Sequence, residues 1–241
     1  MDLSSLQLLL LPGKVFEKNH LIPEYEALYR FWKRFWTHVY SEANSEAHFN
    51  LDDFLRQDII CVVLYRGNVA GCLCHSYFGV NRESSRDHSY FRFFSPYFLK
   101  TLNQHNISVV QTFEFLSIDP LWRQRNTHLA LAEILIGCGL KVLQHSFADA
   151  AIAIARRDVN VHGKAHKMGY WSVEEEIVKR NFSCDTIVCL RTGVKPHPDA
   201  QTLQITEQIW EQRLNATAFS ALDPIESDTS YNKINQWRRA K

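Results

Sequence analysis

Residues 113–136, FEFLSIDPLWRQRNTHLALAEILI, constrain this chain more than any other stretch: an apolar strand ends at Asp119-Pro120 and a polar turn opens an apolar helix. A strand-to-helix junction presents free backbone N–H groups and the positive end of a helix, so it can hold a phosphorylated ligand. This junction also carries Arg123 and Arg125, two cations within three residues. The chain's chemistry is expected there.

Composition bounds the rest. With 241 residues, 46% of them apolar and 12% aromatic, the chain can bury the core of one large or two small domains. Lys plus Arg (27) nearly cancels Asp plus Glu (26), which gives no electrostatic case for nucleic acid or an anionic membrane. Residues 2–16 make a poor signal peptide, because Asp2 stands where a basic start belongs and the apolar run from Leu6 to Leu11 is short. No run reaches transmembrane length. Cys61, Cys72, Cys74, Cys138, Cys184 and Cys189 sit in apolar surroundings without CxxC spacing. They read as reduced, buried thiols of a cytoplasmic protein, and no metal site is expected. Three Asn-x-Ser/Thr triplets (Asn106, Asn181, Asn215) would matter only in a secretory setting.

Along the chain, residues 24–42 give the clearest helix, with Tyr25, Leu28, Tyr29, Trp32, Trp36, Val39 and Tyr40 on one face and Lys33 and Arg34 on the other. Residues 58–65 and 69–78 read as strands of a hairpin turning at Arg66-Gly67-Asn68. An aromatic insertion, 79–106, holds Tyr90, Phe91, Phe93, Phe94, Tyr97 and Phe98, with a short helix near 96–104. Strand 107–118, helix 126–144 and strand 147–155 follow; the last is rich in Ala, a weak strand former. A short helix that Gly169 can cap precedes a second hairpin, 171–179 and 184–191, turning at Asn181-Phe182-Ser183. Residues 195–198 form a linker, 200–220 a surface helix and 223–241 a polar tail.

This order, and the junction itself, resembles the GNAT superfamily of acyl-CoA N-acyltransferases. Ile118, Pro120, Trp122 and Arg123 fall in step with that family's acyl-CoA contact segment, Leu131 and Leu135 with its helix, and HKMGYW with the Gly-aromatic close of its last core helix. The resemblance covers roughly residues 20–192. It implies an α+β fold with a mixed central sheet, splayed open between the fourth and fifth core strands and flanked by helices. Residues 1–195 would be the acyltransferase domain, with 1–20 an N-terminal extension; 196–241 would be a linker, a C-terminal helix and a tail. The two positions usually held by glycine carry Asn126 and His128. Glycine lets backbone approach a diphosphate and adopt positive φ; Asn tolerates that conformation, whereas His adds bulk.

In such a fold a donor thioester lies in the splayed gap, and an amine attacks its carbonyl. The resemblance implies that the pantetheine arm pairs with the strand edge at Leu116 and Ile118. Its phosphate would meet the turn of Arg123, Gln124, Arg125, Asn126, Thr127 and His128, with the N–H groups of 126–128 included. Glu114, the sole carboxylate inside the central strand, is expected to share a face with Leu116 and Ile118 by alternation. Among Phe113, Phe115 and Leu116 its charged form would be disfavoured by desolvation, which suits a general base; pairing with a neighbouring cation is the structural alternative. Ala165 occupies the position of the family's usual tyrosine acid, and His162 and His166 stand nearby as substitutes. Phe93 and Phe94 are candidates to line an acyl tunnel, or else belong to a satellite hydrophobic cluster.

The missing glycines admit two readings. In one, the donor is an acyl-phosphopantetheine on an acyl carrier protein, whose single phosphate needs no roomy cradle. The homoserine-lactone and N-acyl amino acid synthases look like this variant, and they share the aromatic first helix followed by the acidic Asp52-Asp53-Phe54 segment. The expectation is then a cytoplasmic N-acyltransferase with no tightly bound cofactor, using acyl-CoA or an acyl carrier protein and a small amine such as an amino acid. In the other, the site is catalytically degenerate and the domain binds a ligand or protein through the C-terminal helix and Trp210.

Overall fold

Among the residues described by the computed structural model (3–15, 22–43 and 50–224), nine strands form one mixed sheet. In chain order the elements are β1 (Leu6–Leu11), α1 (Ile22–Glu42), α2 (Asp52–Leu55), β2 (Ile59–Tyr65), β3 (Asn68–His75) and β4 (Tyr77–Gly79). Next come α3 (Glu83–Arg86), α4 (Pro96–Gln104), β5 (Val109–Ile118), α5 (Gln124–Thr127), α6 (Leu131–Gln144) and β6 (Ala150–Arg156). The chain continues with α7 (Val161–His166), β7 (Trp171–Lys179), β8 (Phe182–Leu190), α8 (Ala200–Glu211) and β9 (Leu214–Asn215). The sheet runs β7-β8-β6-β5-β3-β2-β1-β9, and β4 pairs with the start of β5. No described helix is long and apolar enough to cross a membrane.

Both hairpins turn through two residues of positive φ, Arg66 (47°) with Gly67 (78°) and Arg180 (51°) with Asn181 (65°). Such turns match the right-handed twist of the flanking strands. The second turn therefore falls one residue earlier than the sequence predicts, and Phe182 begins β8 instead of sitting in the loop. Gly169 (φ 104°) ends the α7 segment, and a Cβ there would lie 2.2 Å from the Gly193 carbonyl oxygen. No other residue fits.

Two expectations are corrected by packing. The apolar run at Leu6 is strand β1, antiparallel to β2 and parallel to β9, and not a mere extension. It carries no period-two signal because both faces are covered: Leu8 and Leu10 join the core beneath α6 while Leu9 and Leu11 join the one beneath α1. The C-terminal helix is not a free surface. It ends at Glu211 and lies on α6, where Lys141 Nζ donates to Glu207 at 2.7 Å. Trp210 is only 5% exposed, with Arg213 stacked over its ring at 4.2 Å.

Among the described residues three apolar clusters form: one between the sheet and α6–α8, one between the sheet and α1–α2, and one beneath the aromatic insertion. In the third, Tyr90, Phe91, Phe94 and Phe98 pack on Val110, Ile152 and Val188. Burying each ring contributes roughly 2–3 kcal/mol. Phe94 lies 4.4 Å from Phe98 within this satellite core, so it lines no tunnel; Phe93 stays 36% exposed.

His75 is fully buried in β3, its Nδ1 2.9 Å from the Thr112 carbonyl oxygen and its Nε2 3.6 Å from Cys61 Sγ. Burial lowers its pKa from 6.5 to about 4, against the opposing Thr112 bond. Above about pH 6.5 both folded and unfolded chains carry it neutral. Between there and about pH 4 only the unfolded chain takes the proton, so stability falls as pH drops, by roughly 3 kcal/mol for this group. Urea unfolding at pH 7 and pH 4.5 is expected to show that loss, and His75→Gln should remove it. An equal pH dependence in both proteins would refute the assignment.

Candidate active site

β5 and β6 run parallel and pair from Val110/Ala150 to Phe113/Ala153, where the ladder ends. Both strands continue: β5 reaches Ile118 along β3, and β6 reaches Arg156 along β8. The cause of the fork is a bulge. Phe115 and Leu116 together face the single Leu73 between the pairs Cys74/Glu114 and Cys72/Ser117, and Phe115 has φ 54°. A bulge bends its strand and increases local twist, which draws β5 away from β6. α1 holds the bulge in place. Trp32 and Trp36 each set a ring 5.3 Å from the Phe115 ring. Trp36 Nε1 donates to Ser117 Oγ at 2.8 Å, and Ser117 Oγ donates to the Phe115 carbonyl oxygen at 2.7 Å.

The fork opens on both sides of the sheet. A cleft of about 770 Å³ runs on the α6–α7 side from Phe113, Ala153 and Tyr170 past Leu116 and Ile118 to Arg123 and Gln124, and reaches through the fork to Phe35, Val39 and Glu42 of α1. On the α1–α2 side lies a cavity of about 300 Å³, bordered by Asp53, Arg56, Arg92, Phe93, Glu114, Lys179 and Arg180. Trp36, Phe113, Phe115, Ile154, Arg156 and Phe182 line both, so the two meet through the fork.

The bulge also breaks the alternation rule. Phe113, Leu116 and Ile118 face α6, while Glu114 and Phe115 both face α1 and α2. Glu114 therefore does not share a face with Leu116 and Ile118. Nor is it a lone carboxylate among rings: Arg56 grips it with both terminal nitrogens, Nη1 at 3.0 Å from Oε1 and Nη2 on Oε2, and the Thr112 hydroxyl donates at 2.7 Å. Asp53 takes the third side of Arg56, with Oδ1 3.2 Å from Nε. Burial works against the Arg56 charge, but Glu114 and Asp53 outweigh it and hold its pKa above the ordinary value.

At the junction the helix starts later than expected. Residues 124–127 form the single turn α5, and the long helix begins at Leu131. The N–H groups of Asn126, Thr127 and His128 are already bonded, to the carbonyls of Arg123 (2.8 and 3.3 Å) and Gln124 (2.8 Å). They are not free to hold a phosphate. His128 takes φ 58°, the left-handed conformation a glycine would supply, and the Asn126 side chain donates to the Pro120 carbonyl at 2.6 Å. Arg125, Asn126, Thr127 and His128 line neither cavity; Arg123 and Gln124 do. The helix end that opens on the cleft is that of α6, Ala130 to Glu133, with no side chain capping it. Glu133 there is tied to Lys167 (2.9 Å) and to His197. Burial opposes its charge, but those two partners hold its pKa below the ordinary carboxylate value.

His162 and His166 lie off both cavities, 5.9 Å apart on α7, with His166 Nε2 3.1 Å from Ser172 Oγ. Ala165 does border the cleft, and so does Tyr170, whose buried hydroxyl has no hydrogen-bond partner among the described residues. A buried donor left unpaired costs about 1–3 kcal/mol. The sequence reading passed over Arg56, Lys179, Arg180 and Tyr170 as site residues. Arg56 had a signal, its place one turn after the acidic Asp52-Asp53 pair; the two hairpin cations and the second half of the Gly-aromatic pair had none beyond their positions.

No protein-family model and no curated protein sequence matches the chain. Solved structures do. An agmatine N-acetyltransferase aligns with 77% of this chain and 99% of its own at 11% identity and a TM-score of 0.52. FeeM, an N-acyl amino acid synthase from uncultured soil microbes, aligns with 78% of this chain and 91% of its own at 10% identity and a TM-score of 0.51. BjaI, a CoA-dependent acyl-homoserine lactone synthase whose structure holds SAM and isopentyl-CoA, aligns with 95% of this chain and 99% of its own, at 12% identity and a TM-score of 0.51. The chain has the GNAT acyl-CoA N-acyltransferase fold.

Proposed function

We propose that this protein is a cytoplasmic N-acyltransferase. It moves an acyl group from a phosphopantetheine thioester, carried by CoA or an acyl carrier protein, to the amine of a small acceptor that also bears a carboxylate, such as an amino acid. The observation that carries the reading is the fork: two adjacent strands part after Phe113/Ala153, and a cleft extends from that point to Arg123. From Phe113 to Ile118 an extended strand covers roughly 16 Å, a span suited to an extended pantetheine arm. The unpaired edge of β5 offers that arm backbone partners. Its phosphate meets Arg123 beside the positive end of α6, where the helix dipole favours an anion although the Leu131 and Glu133 N–H groups are bonded to the Leu129 and Ala130 carbonyls.

The second cavity suits the acceptor. Of its charged side chains, Asp53 and Glu114 are engaged by Arg56, and Arg156 by Asp158, whereas Arg92, Lys179 and Arg180 form no ion pair among the described residues. Lys179 lies over the Phe93 ring and Arg180 over the Tyr40 ring, and with no carboxylate of the described residues neutralising them the three cations favour a carboxylate there. The amine then points to the fork, where Glu114 accepts its proton as nitrogen attacks the thioester carbonyl. The enzymes whose structures resemble this one include an N-acyl amino acid synthase, which is consistent with such an acceptor.

The test is direct. Incubating the protein with panels of acyl-CoA and acyl-carrier-protein donors and the amino acids should give N-acyl products by mass spectrometry. No product and no donor-induced thermal shift would favour a non-catalytic binding domain, although the buried Trp210 removes the surface first considered for that role. A pH dependence adds a second check. Lys179 lies 5.0 Å from the Phe93 ring and 5.8 Å from that of Tyr90, and burial lowers its pKa to about 8 against the pull of Glu114. Its ammonium is present below that pH and lost above it. The KM for the acceptor is expected to climb by up to roughly tenfold per pH unit above about 8 while the donor KM stays flat. Lys179→Met should raise the acceptor KM at pH 7 and abolish the climb; an unaltered profile would exclude Lys179 from the acceptor site.

A further inference from the structure

Tyr170 closes the inner end of the cleft, where the β5–β6 ladder stops. Its ring stands edge-on to Phe113 at 5.7 Å, and the residue is 5% exposed. Among the described residues that line the cleft, it alone has a buried side-chain polar atom without a hydrogen-bond partner. Ala153, Ala165 and Ile187, which share its apolar cluster and line the same cleft, have no side-chain group that could serve it. A buried hydroxyl that lacks a protein partner, on a residue that lines a ligand cleft, can be matched by a group the ligand brings.

We propose that the Tyr170 hydroxyl donates a hydrogen bond to the carbonyl oxygen of the donor thioester, fixing it at the fork and stabilising the negative charge which that oxygen gains during acyl transfer. The inference rests on the acyl-transfer reading and adds a catalytic residue to it. The oxygen is the partner because a thioester sulfur is a weak acceptor. As the acceptor nitrogen bonds to the carbonyl carbon, the C=O π pair moves onto oxygen, which the hydroxyl already faces. The pair then returns, the C–S bond breaks, and sulfur leaves with its electrons to take a proton from solvent. The ammonium proton passes to Glu114. Tyr170 keeps its own proton throughout; burial chiefly, with lesser contributions from Cys189 and Tyr90, holds its pKa well above the usual phenol value, so it remains a donor across the working pH range.

Two readouts test this, one independent of turnover. Octanoyl-CoA and octanoyl-phosphopantetheine with an isotope-labelled carbonyl are bound to the protein and to Tyr170→Phe, and the carbonyl stretch is followed by infrared difference spectroscopy. The wild type is expected to shift the band to lower frequency, and the variant to lose the shift. Thiol release in the presence of an amino-acid mixture is expected to fall about 100- to 1000-fold in kcat, with the donor KM changed less than threefold and the climb of the acceptor KM above about pH 8 in place. The free variant should melt no lower than wild type, since an unpaired buried hydroxyl has been removed. If the wild type shifts the carbonyl and turns over while Tyr170→Phe does both equally well, the Tyr170 assignment is overturned and the acyl-transfer reading survives. If the wild type neither shifts the carbonyl nor releases thiol from either donor, that reading fails and this inference fails with it.

Discussion

Glu114→Gln is expected to lower kcat by about two to four powers of ten while the thermal shift produced by an acyl donor stays unchanged. The amide keeps the shape of the side chain and one oxygen for Arg56 Nη1 and Thr112, while its NH2 gives up the bond from Arg56 Nη2; the backbone of the fork and cleft should persist. What it loses is the capacity to accept the acceptor's proton. Stopped assays with a saturating donor and an acceptor titration measure this, and wild-type turnover would remove Glu114 as the base. Glu114→Leu separates chemistry from stability. The Glu114 side chain is 6% exposed and that of Arg56 19%. Removing one partner leaves a nearly buried guanidinium with Asp53 as its one carboxylate and the Ser76 hydroxyl as a neutral acceptor, which costs about 3 kcal/mol, the lower end of the range for broken buried pairs. In a chain of this size that lowers Tm by roughly 10 °C. A Leu variant as stable as the Gln variant would mean that Arg56 finds another partner.

The same carboxylate shows where sequence reasoning reaches its limit. The strand, its Asp-Pro end, both hairpins, the aromatic face of α1 and α4 over Pro96–Gln104 all follow from periodicity and turn residues. The face on which Glu114 lies does not, because one left-handed residue at Phe115 breaks the alternation, and a phenylalanine there has no sequence signature. The bulge is imposed from α1, through Trp36 and Ser117, 81 residues apart in the chain. At the junction the missing glycines were plain to see, but their consequence was only half legible. His128 does take the conformation glycine would, yet the intervening residues close into a helical turn that consumes the amides assigned to a phosphate. From α1 to β8 the order of the main elements needed no tertiary information; strand β1 and the availability of individual N–H groups did.

Strand β6 carries the largest effect expected on donor binding. AAIAIAR is a poor strand by propensity, since alanine packs little surface. Its alanines make sense as a wall. Ala151, Ala153 and Ala155 face α6 and α7, and the last two border the cleft opposite Leu116 and Ile118, together with Ala165. Larger residues at these positions would occupy the space an acyl-pantetheine arm needs, so the strand gives up packing to keep the fork open. Ala155→Phe should therefore place a ring in the cleft and weaken donor binding by about 100-fold or more, ~3 kcal/mol, read as loss of the thermal shift with acyl-CoA. Ala155 is itself only 1% exposed, so the ring should also cost roughly 1–3 kcal/mol in stability, as overpacked cores do. The circular dichroism spectrum should not change. Ala155 lines the donor cleft and not the acceptor cavity, so acceptor binding measured alone should survive. Undiminished donor affinity in Ala155→Phe would mean that the arm does not run between β5 and β6, and the fork would then be a feature of the fold with no part in binding.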